Sequence, residues 1–203
     1  MNLRNLKFPH YLLLTYLILF IVCAINPYDR SVWWAENIPI MLIVLSFVLT
    51  YRKFQFSNTA YVLMSIFIFM HTIGGHYTFS RVPFDFITNL FGFSRNHYDR
   101  FAHFAVGFYA YGMCEFLLLK KIVTKKWALF AFPIFFIMAL AATYELFEWI
   151  FAISADPAAG MEVLGSQGDI WDAQKDILMD TLGAITSLVL FYFVRKNDIK
   201  KIK

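Results

Sequence analysis

The chain has 203 residues, of which 60% are hydrophobic and 20% aromatic, and its formal net charge is +4. Soluble domains are typically about 45–50% apolar, so a soluble domain of this length would leave too much apolar surface in water. No nucleic-acid-binding motif accompanies the positive charge, and no nucleic-acid partner is expected.

Six apolar runs, each near the ~20 residues needed to cross a bilayer, follow one another along the chain. They cover residues 10–26, 36–51, 59–76, 101–119, 127–151 and 174–194. We therefore predict an all-α fold, a polytopic membrane helix bundle of about six transmembrane helices, with residues 1–203 forming a single integral membrane domain. The first run is longer than the apolar core of a signal peptide, and no clear cleavage site follows it, so a membrane span is favoured over a signal peptide. Cys23 and Cys114 lie inside apolar runs, which predicts buried thiols without a disulfide.

The distribution of charge predicts the orientation of the helices. Lys and Arg collect on the cytoplasmic side of membrane proteins, and most of the 18 basic residues fall on the side of the N-terminus, among them Arg4, Arg52, Lys53 and Lys203. Both termini are therefore predicted to be cytoplasmic, in a multi-pass protein of the bacterial inner membrane. Nearly all of the 14 carboxylates and most of the histidines fall on the opposite, outer side. The rule for Lys and Arg does not explain this second asymmetry.

The third span ends in "FMHTIGGHYTFSRVPF", in which Gly74 and Gly75 are predicted to break or loosen the helix between His71 and His76. The two histidines are candidate metal ligands, and the alternative is that they are merely interfacial. The fourth span opens with "NHYDRFAHF". Asp99 and His103 in this stretch are four residues apart and share one helix face, so that Asp99 either caps the helix, orients His103 or binds a cation together with it.

The last two spans carry carboxylates in their outer parts. Glu145 and Glu148 share a face in "YELFEW". In "GDIWDAQKDILMDTLGA", four aspartates share a face if the helix begins near Asp169, and three do if it begins near Asp172. A carboxylate at mid-bilayer costs roughly 2.5–3.5 kcal/mol, so these groups should be hydrated, protonated, paired or bound to a cation. The alternative is a solvated helix face. The loop between these two spans is either a lid or a plain connector.

These polar stretches come from four separate places in the sequence and share one depth in the membrane, which predicts that they converge in one outward-facing pocket. The candidate catalytic residues are His103, Asp99, Glu145 and Asp176. The candidate metal ligands are His71, His76, His103, Glu145, Glu148, Asp172, Asp176 and Asp180. Arg81 and Arg100 are candidates for holding a substrate phosphate.

Two family resemblances rest on these motifs. Residues 99–190 are similar to VanZ-like membrane proteins, whose Asp-Lys/Arg-x-x-His-Phe element is matched by "DRFAHF". Their later Glu-x-x-Gln and Asp-x-x-x-Asn-x-x-Gly elements are matched by "ELFE" and "DILMDTLG", with Glu148 in place of Gln and Asp180 in place of Asn. Both departures add negative charge, which favours a cation site. The whole chain resembles the YjdF-type family of bacterial inner-membrane proteins through "HTIGGHYTF", "HYDRFAHF", "YELFEW" and "QGDIWDAQKDILMDTLGA".

The VanZ-like resemblance implies work at the cell envelope, and the YjdF-type resemblance implies no particular reaction. Three functions stay open. The first is a metal-dependent hydrolase or transferase that uses Zn²⁺, Mn²⁺ or Mg²⁺ on a lipid or another amphiphilic, lipid-phosphate envelope intermediate. The second is cation- or proton-coupled binding or transport of a small molecule. The third is a non-catalytic membrane partner protein. Membrane lipids are expected partners in each case, and the sequence does not determine the oligomeric state.

Overall fold

A computed structural model of the protein describes residues 6–202. Arg4 and Lys203, which contributed to the predicted orientation, lie outside the described residues. Every regular element within residues 6–202 is helical. The helices are α1 (Phe8–Ala24), α2 (Arg30–Thr50), α3 (Asn58–Tyr77), α4 (Asp85–Phe91), α5 (Tyr98–Val106), α6 (Tyr109–Leu119), α7 (Lys126–Ser154), α8 (Pro157–Leu164) and α9 (Asp172–Ile199), and a 3₁₀ turn covers Phe79–Arg81.

The structure confirms a polytopic helical membrane bundle. Five stretches are long and apolar enough to cross a membrane, one of them formed by α5 and α6 together, and α1 is a shorter apolar helix of 17 residues. Each of the six predicted spans has its counterpart. The short helices α4 and α8 lie between the spans and were not predicted. Cys23 and Cys114 are buried and free, as predicted.

Two helices hold the bundle together. Helix α3 packs against α1, α2, α5 and α6, and α9 packs against α5, α6 and α7. The largest apolar core lies in the half of the bundle assigned to the cytoplasm, where Met64, Tyr111, Leu129 and Phe191 are all buried. Because apolar side chains fill this half, the buried polar side chains that remain are concentrated in the half predicted to be outer.

The fourth span is interrupted where it crosses α9. A Cβ on Gly107 would overlap the backbone of Ala184, and a Cβ on Gly183 would overlap the carbonyl of Phe104, so the two helices touch backbone to backbone. Small residues permit such close approach between membrane helices. Between α5 and α6, the backbone hydrogen bonds span three residues instead of four. The Ser187 hydroxyl of α9 donates to the Gly107 carbonyl at 3.2 Å. The crossing brings the start of α5 against the start of α9.

The predicted break at Gly74 and Gly75 is wrong, because α3 continues to Tyr77. These glycines serve close packing instead. A Cβ on Gly74 would lie 2.6 Å from the Phe79 ring, and one on Gly75 would lie 2.6 Å from the Asn37 amide nitrogen. The chain reverses only at Thr78, where φ is 59°. His71 and His76 therefore lie five residues apart on one continuous helix and face different neighbours.

The segment between α7 and α9 is folded against the outer ends of the spans. Gly160 of α8 packs against the backbone of Ala152, while Ala159 and Val163 pack against Val32 of α2. Glu162 accepts hydrogen bonds from Arg81 at 2.5 Å and from Thr78 at 3.0 Å. Farther along, Arg95 donates to the carbonyl of Ser166. The segment predicted to be a lid or a connector thus covers the outer end of the bundle.

Candidate functional site

The facing starts of α5 and α9 place His103 among three carboxylates. Its Nδ1 lies 3.0 Å from Oδ2 of Asp180, and its Nε2 lies 3.6 Å from Oδ1 of Asp99 and 3.9 Å from Oδ1 of Asp176. His103, Asp176 and Asp180 are buried, and Asp99 is partly buried. One nitrogen of His103 therefore meets a single carboxylate, while the other faces two.

The second nitrogen belongs to a group of donor atoms that could hold a metal ion. One ligand atom each from Asp99, His103 and Asp176 lie within 4.8 Å of one another. Histidine ligands commonly direct their other ring nitrogen to a carboxylate, which fixes the tautomer and the ring orientation. Asp180 occupies that position here. We refer to Asp99, His103 and Asp176 as the three-donor set.

Two arginines lie beside the three-donor set, and one of them, Arg100, contacts a carboxylate of the set. Arg100 is buried, contacts the carboxylates of Asp172 and Asp176, and donates to the Asp172 carbonyl at 3.0 Å. Arg95, which was not predicted, donates to Oδ1 of Asp172 at 2.7 Å. Oδ1 of Asp172 is thus engaged by both arginines. Asp169, which precedes α9, pairs mainly with Lys175 at 2.6 Å.

The charges of this region do not cancel. It contains four carboxylates and two guanidiniums, those of Asp99, Asp172, Asp176, Asp180, Arg95 and Arg100. If all of these groups are ionised, two negative charges remain in a poorly hydrated place. Oδ1 of Asp180 is buried with no hydrogen-bond partner in residues 6–202. Oδ1 of Asp176 also lacks a hydrogen-bond partner there and has ionic contacts with Arg100 and His103. A bound divalent cation or added protons would compensate for the excess.

A cavity of about 160 Å³ opens beside the three-donor set. Its polar lining consists of His71, Asp99, His103, Tyr144, Glu148 and Asp180. Apolar residues of α2, α3, α5 and α7, such as Ile40, Phe67 and Leu140, line the rest. The predicted convergence is thus realised for residues from four spans. The cavity is polar at one part of its wall and apolar over the remainder.

A second buried cluster closes another side of the cavity. Nε2 of His71 lies 3.0 Å from Oε2 of Glu36 and 3.1 Å from the Glu36 carbonyl. The Tyr144 hydroxyl donates to the same carboxylate oxygen at 2.8 Å. Glu36 is 2% exposed and was not predicted as a site residue. Its position at the start of an apolar run is the only signal in the sequence.

The other predicted site residues have separate surroundings. His76 is partly buried, and its Nδ1 bonds to the Cys23 carbonyl at 2.9 Å, away from the three-donor set. Glu148 is buried in the cavity wall, whereas Glu145 is partly buried, with an Oε1 that has no hydrogen-bond partner within residues 6–202. Arg81 is held by Glu162 and lies 4.3 Å from the Tyr28 ring. With Arg100 also paired, neither predicted phosphate-binding arginine is free of a carboxylate.

The ion pairs outside the spans shift the ionisation of their members. The hydrogen bond from Arg81 is the main cause that holds the pKa of Glu162 below its ordinary value. The hydrogen bond from Lys175 does the same for the pKa of Asp169. Both carboxylates are therefore charged at neutral pH. Ionic contacts thus help to hold the segment between α7 and α9, which we refer to as the outer cover.

Comparison with known proteins shows which family this chain belongs to. A family model described as "Predicted membrane protein (DUF2238)" matches residues 8–197. The inner membrane protein YjdF of Escherichia coli (strain K12) is 30% identical over 178 residues, which are 87% of this chain and 85% of that protein. No solved structure matches the chain. The YjdF-type resemblance and the inner-membrane location are thereby confirmed, whereas the VanZ-like resemblance stays a prediction. The chain belongs to the family of membrane proteins described as DUF2238.

Proposed function

We propose that the protein is a metal-dependent hydrolase or transferase that acts on a lipid or another amphiphilic intermediate of the cell envelope. The observation that carries the proposal is the three-donor set, whose ligand atoms lie within 4.8 Å of one another on two helices locked together by a glycine crossing. One imidazole and two carboxylates suit Zn²⁺, Mn²⁺ or Mg²⁺. Three protein ligands leave a coordination position for water or substrate.

The local charge supports a cation rather than a purely hydrogen-bonded network. With the four carboxylates ionised and His103 neutral, two negative charges remain after Arg95 and Arg100 are counted, and an uncompensated charge in a membrane interior is costly. A divalent cation would balance this excess and would supply Lewis acidity for attack on a phosphoryl or ester group. Asp180 would hold the His103 ring in place through Nδ1.

The cavity supports an amphiphilic substrate. Asp99 and His103 of the three-donor set belong to its polar wall, and apolar side chains line the rest. A substrate with a polar reacting group and a lipid tail would place the first against Asp99 and His103 and the second along Ile40 and Leu140. Arg100 would position Asp176 through their contact rather than bind a phosphate. The envelope role implied by the VanZ-like resemblance is compatible with such a substrate.

The test is elemental analysis of the full-length protein purified in mild detergent, after addition of Zn²⁺, Mn²⁺ or Mg²⁺ and removal of free metal. We expect close to one metal ion per chain in the wild type and its loss in His103→Ala and Asp176→Asn. The matched controls are His76→Ala and Asp85→Asn, which lie outside the three-donor set and should keep the metal. A wild-type protein that binds none of these metals would overturn the proposal, as would equal loss in the controls.

A second candidate is cation- or proton-coupled binding or transport. It is favoured by the titratable groups that line one cavity, His71, His103, Tyr144 and Glu148 among them. His71 and Tyr144 also contact the buried Glu36 carboxylate. A transport path must continue through the cytoplasmic half, where Glu115 is engaged by Arg195 and by the amide and hydroxyl of Ser57. Cation or proton flux in liposomes, without turnover of a labelled lipid, would favour this candidate over the enzyme.

A further inference from the structure

A groove separates α1 from α2 in the half of the bundle assigned to the cytoplasm, opposite the three-donor set. Both helices pack on α3, and the space between them has a volume of about 140 Å³. Its walls are mainly apolar and include Leu13 from α1, Phe47 and Val48 from α2, and Ile68 from α3. A cavity of about 150 Å³ admits a benzene-sized group, so this groove has room for a segment of one hydrocarbon chain.

Two tyrosines that line this groove have hydroxyls without a hydrogen-bond partner among the described residues. The rings of Tyr16 and Tyr51 line it, and each hydroxyl is buried with no hydrogen-bond partner in the described part of the chain, residues 6–202. Tyr16 is only 4% exposed. Buried polar groups are nearly always hydrogen-bonded, so two unpaired donors in one apolar groove indicate a ligand with acceptor oxygens. The ester carbonyls of a phospholipid provide such acceptors next to an acyl chain.

The cytoplasmic end of the groove is basic. Lys7 precedes α1, and its Nζ donates to Oε1 of Gln55 at 3.2 Å, which brings it to the loop that follows α2. The same loop carries the exposed Arg52 and Lys53, directly after Tyr51. Basic side chains at the cytoplasmic ends of membrane helices attract anionic lipid headgroups. The groove thus combines an apolar slot, two hydroxyl donors and a positively charged mouth.

We propose that this groove binds one anionic phospholipid of the cytoplasmic leaflet. An acyl chain lies between α1 and α2, the hydroxyls of Tyr16 and Tyr51 donate to its ester oxygens, and the headgroup contacts Lys7, Arg52 and Lys53. The site is separate from the proposed metal site, and its occupation does not depend on any enzymatic activity.

The experiment is native mass spectrometry of the full-length protein in detergent, with added phosphatidylglycerol or phosphatidylethanolamine. We expect the wild type to bind one phosphatidylglycerol several-fold more tightly than phosphatidylethanolamine. Each basic residue near an anionic surface contributes about a fivefold effect, so the double variant Arg52→Gln, Lys53→Gln should weaken phosphatidylglycerol binding roughly 5- to 30-fold. Val48→Trp, which fills the groove, should abolish binding of the first lipid.

Matched variants separate this site from general lipid contact. Leu45→Trp adds the same bulk on the exposed surface of α2, and Lys125→Gln with Lys126→Gln removes two cytoplasmic charges elsewhere. Both controls should bind like the wild type. Tyr16→Phe removes only a buried hydroxyl and should weaken binding even if Val48→Trp does not fold. Equal affinity for the two lipids, or equal effects in the variants and their controls, would overturn the proposal.

Discussion

At the scale of single residues, the surroundings of His103 determine what this imidazole can do. Its Nδ1 meets the carboxylate of Asp180 at 3.0 Å, and its Nε2 faces Asp99 and Asp176. A histidine at another position has a different role. His76 has its Nδ1 bonded to a backbone carbonyl of α1 and joins two helices. The local partner therefore separates a candidate metal ligand from a structural histidine.

This assignment predicts an intermediate effect for Asp180. Loss of a carboxylate that orients a metal-bound histidine typically weakens metal binding 10- to 100-fold. We expect Asp180→Asn to weaken metal binding by roughly this factor, because the ring loses its charged partner while the three-donor set is kept. Competitive titration with a chelating dye measures the affinity. An affinity equal to that of the wild type would contradict the orienting role, and Asp176→Asn provides the reference for loss of a ligand.

At the scale of elements, the crossing of α5 and α9 determines whether the site exists. Gly107 and Gly183 permit backbone contact, and the carboxylates of α9 reach the start of α5 because of it. In the sequence, a glycine within an apolar run is compatible with several roles. The same signal at Gly74 and Gly75 predicts a broken or loosened helix, whereas in the structure these residues accommodate Phe79 and Asn37.

Gly183→Ala tests the crossing. The added methyl group would overlap the backbone carbonyl of Phe104, and backbone cannot move aside as a flexible side chain can. We expect a loss of about 1–3 kcal/mol of stability together with weaker metal binding, measured by thermal unfolding in detergent and by metal titration. The control is Gly112→Ala, whose methyl group would meet the flexible Met64 side chain at 2.9 Å. Equal stability of the two variants would contradict backbone contact as the reason for Gly183.

The contact of α8 with the 3₁₀ turn predicts a pH dependence of the outer cover. The pKa of Glu162 is lowered in the folded protein, chiefly by its hydrogen bond with Arg81. A lowered pKa contributes stability that is present above the ordinary value of 4.5 and is lost as the pH falls through the folded value. Amide protection in residues 157–164 should therefore decrease upon acidification below about pH 4.5, as measured by hydrogen exchange corrected for intrinsic rates.

Glu162→Gln is the control for this pH dependence. Because glutamine does not titrate, the variant should show reduced protection of α8 already at neutral pH and a smaller change upon acidification. A wild-type protein whose α8 protection follows the same pH curve as the variant would exclude Glu162 as the cause.

At the scale of the whole molecule, the orientation in the membrane decides which compartment the cavity faces. Basic residues cluster at one end of the bundle, and most carboxylates lie at the other. The positive-inside rule therefore predicts an outward-facing cavity.

Single cysteines in a background without Cys23 and Cys114 test this orientation. Ala158→Cys on α8 should react with a membrane-impermeant maleimide in intact spheroplasts, whereas Thr124→Cys, between α6 and α7, should react only after lysis. Both positions are exposed, so a difference in labelling reports the side of the membrane. The reverse pattern would place the cavity toward the cytoplasm and would contradict the predicted outward-facing pocket.

The sequence predicted what depends on local composition and spacing. Apolar runs near bilayer length predicted the five stretches that could cross a membrane and the shorter apolar helix α1, because the membrane requires such runs whatever their neighbours. Spacings of four residues placed Asp99 with His103, and Asp172 with Asp176 and Asp180, because helix geometry is local. Because α9 begins at Asp172, three aspartates share one helix face, Asp172, Asp176 and Asp180, and Asp169 lies outside the helix. Glu36 and Arg95 were missed because their importance comes from partners in distant parts of the chain.

By itself, the sequence determined a helical membrane protein with acids and histidines gathered at one end, since hydropathy and charge bias act on each segment independently. Only the tertiary structure decided which of these groups meet. It directed Arg95 and Arg100 to the carboxylates of α9, paired Glu36 with His71, and left Asp99, His103 and Asp176 around one point. The physical reason is that pairing between helices depends on their crossing and rotation, which the backbone contact at Gly107 and Gly183 fixes and no spacing within one helix encodes.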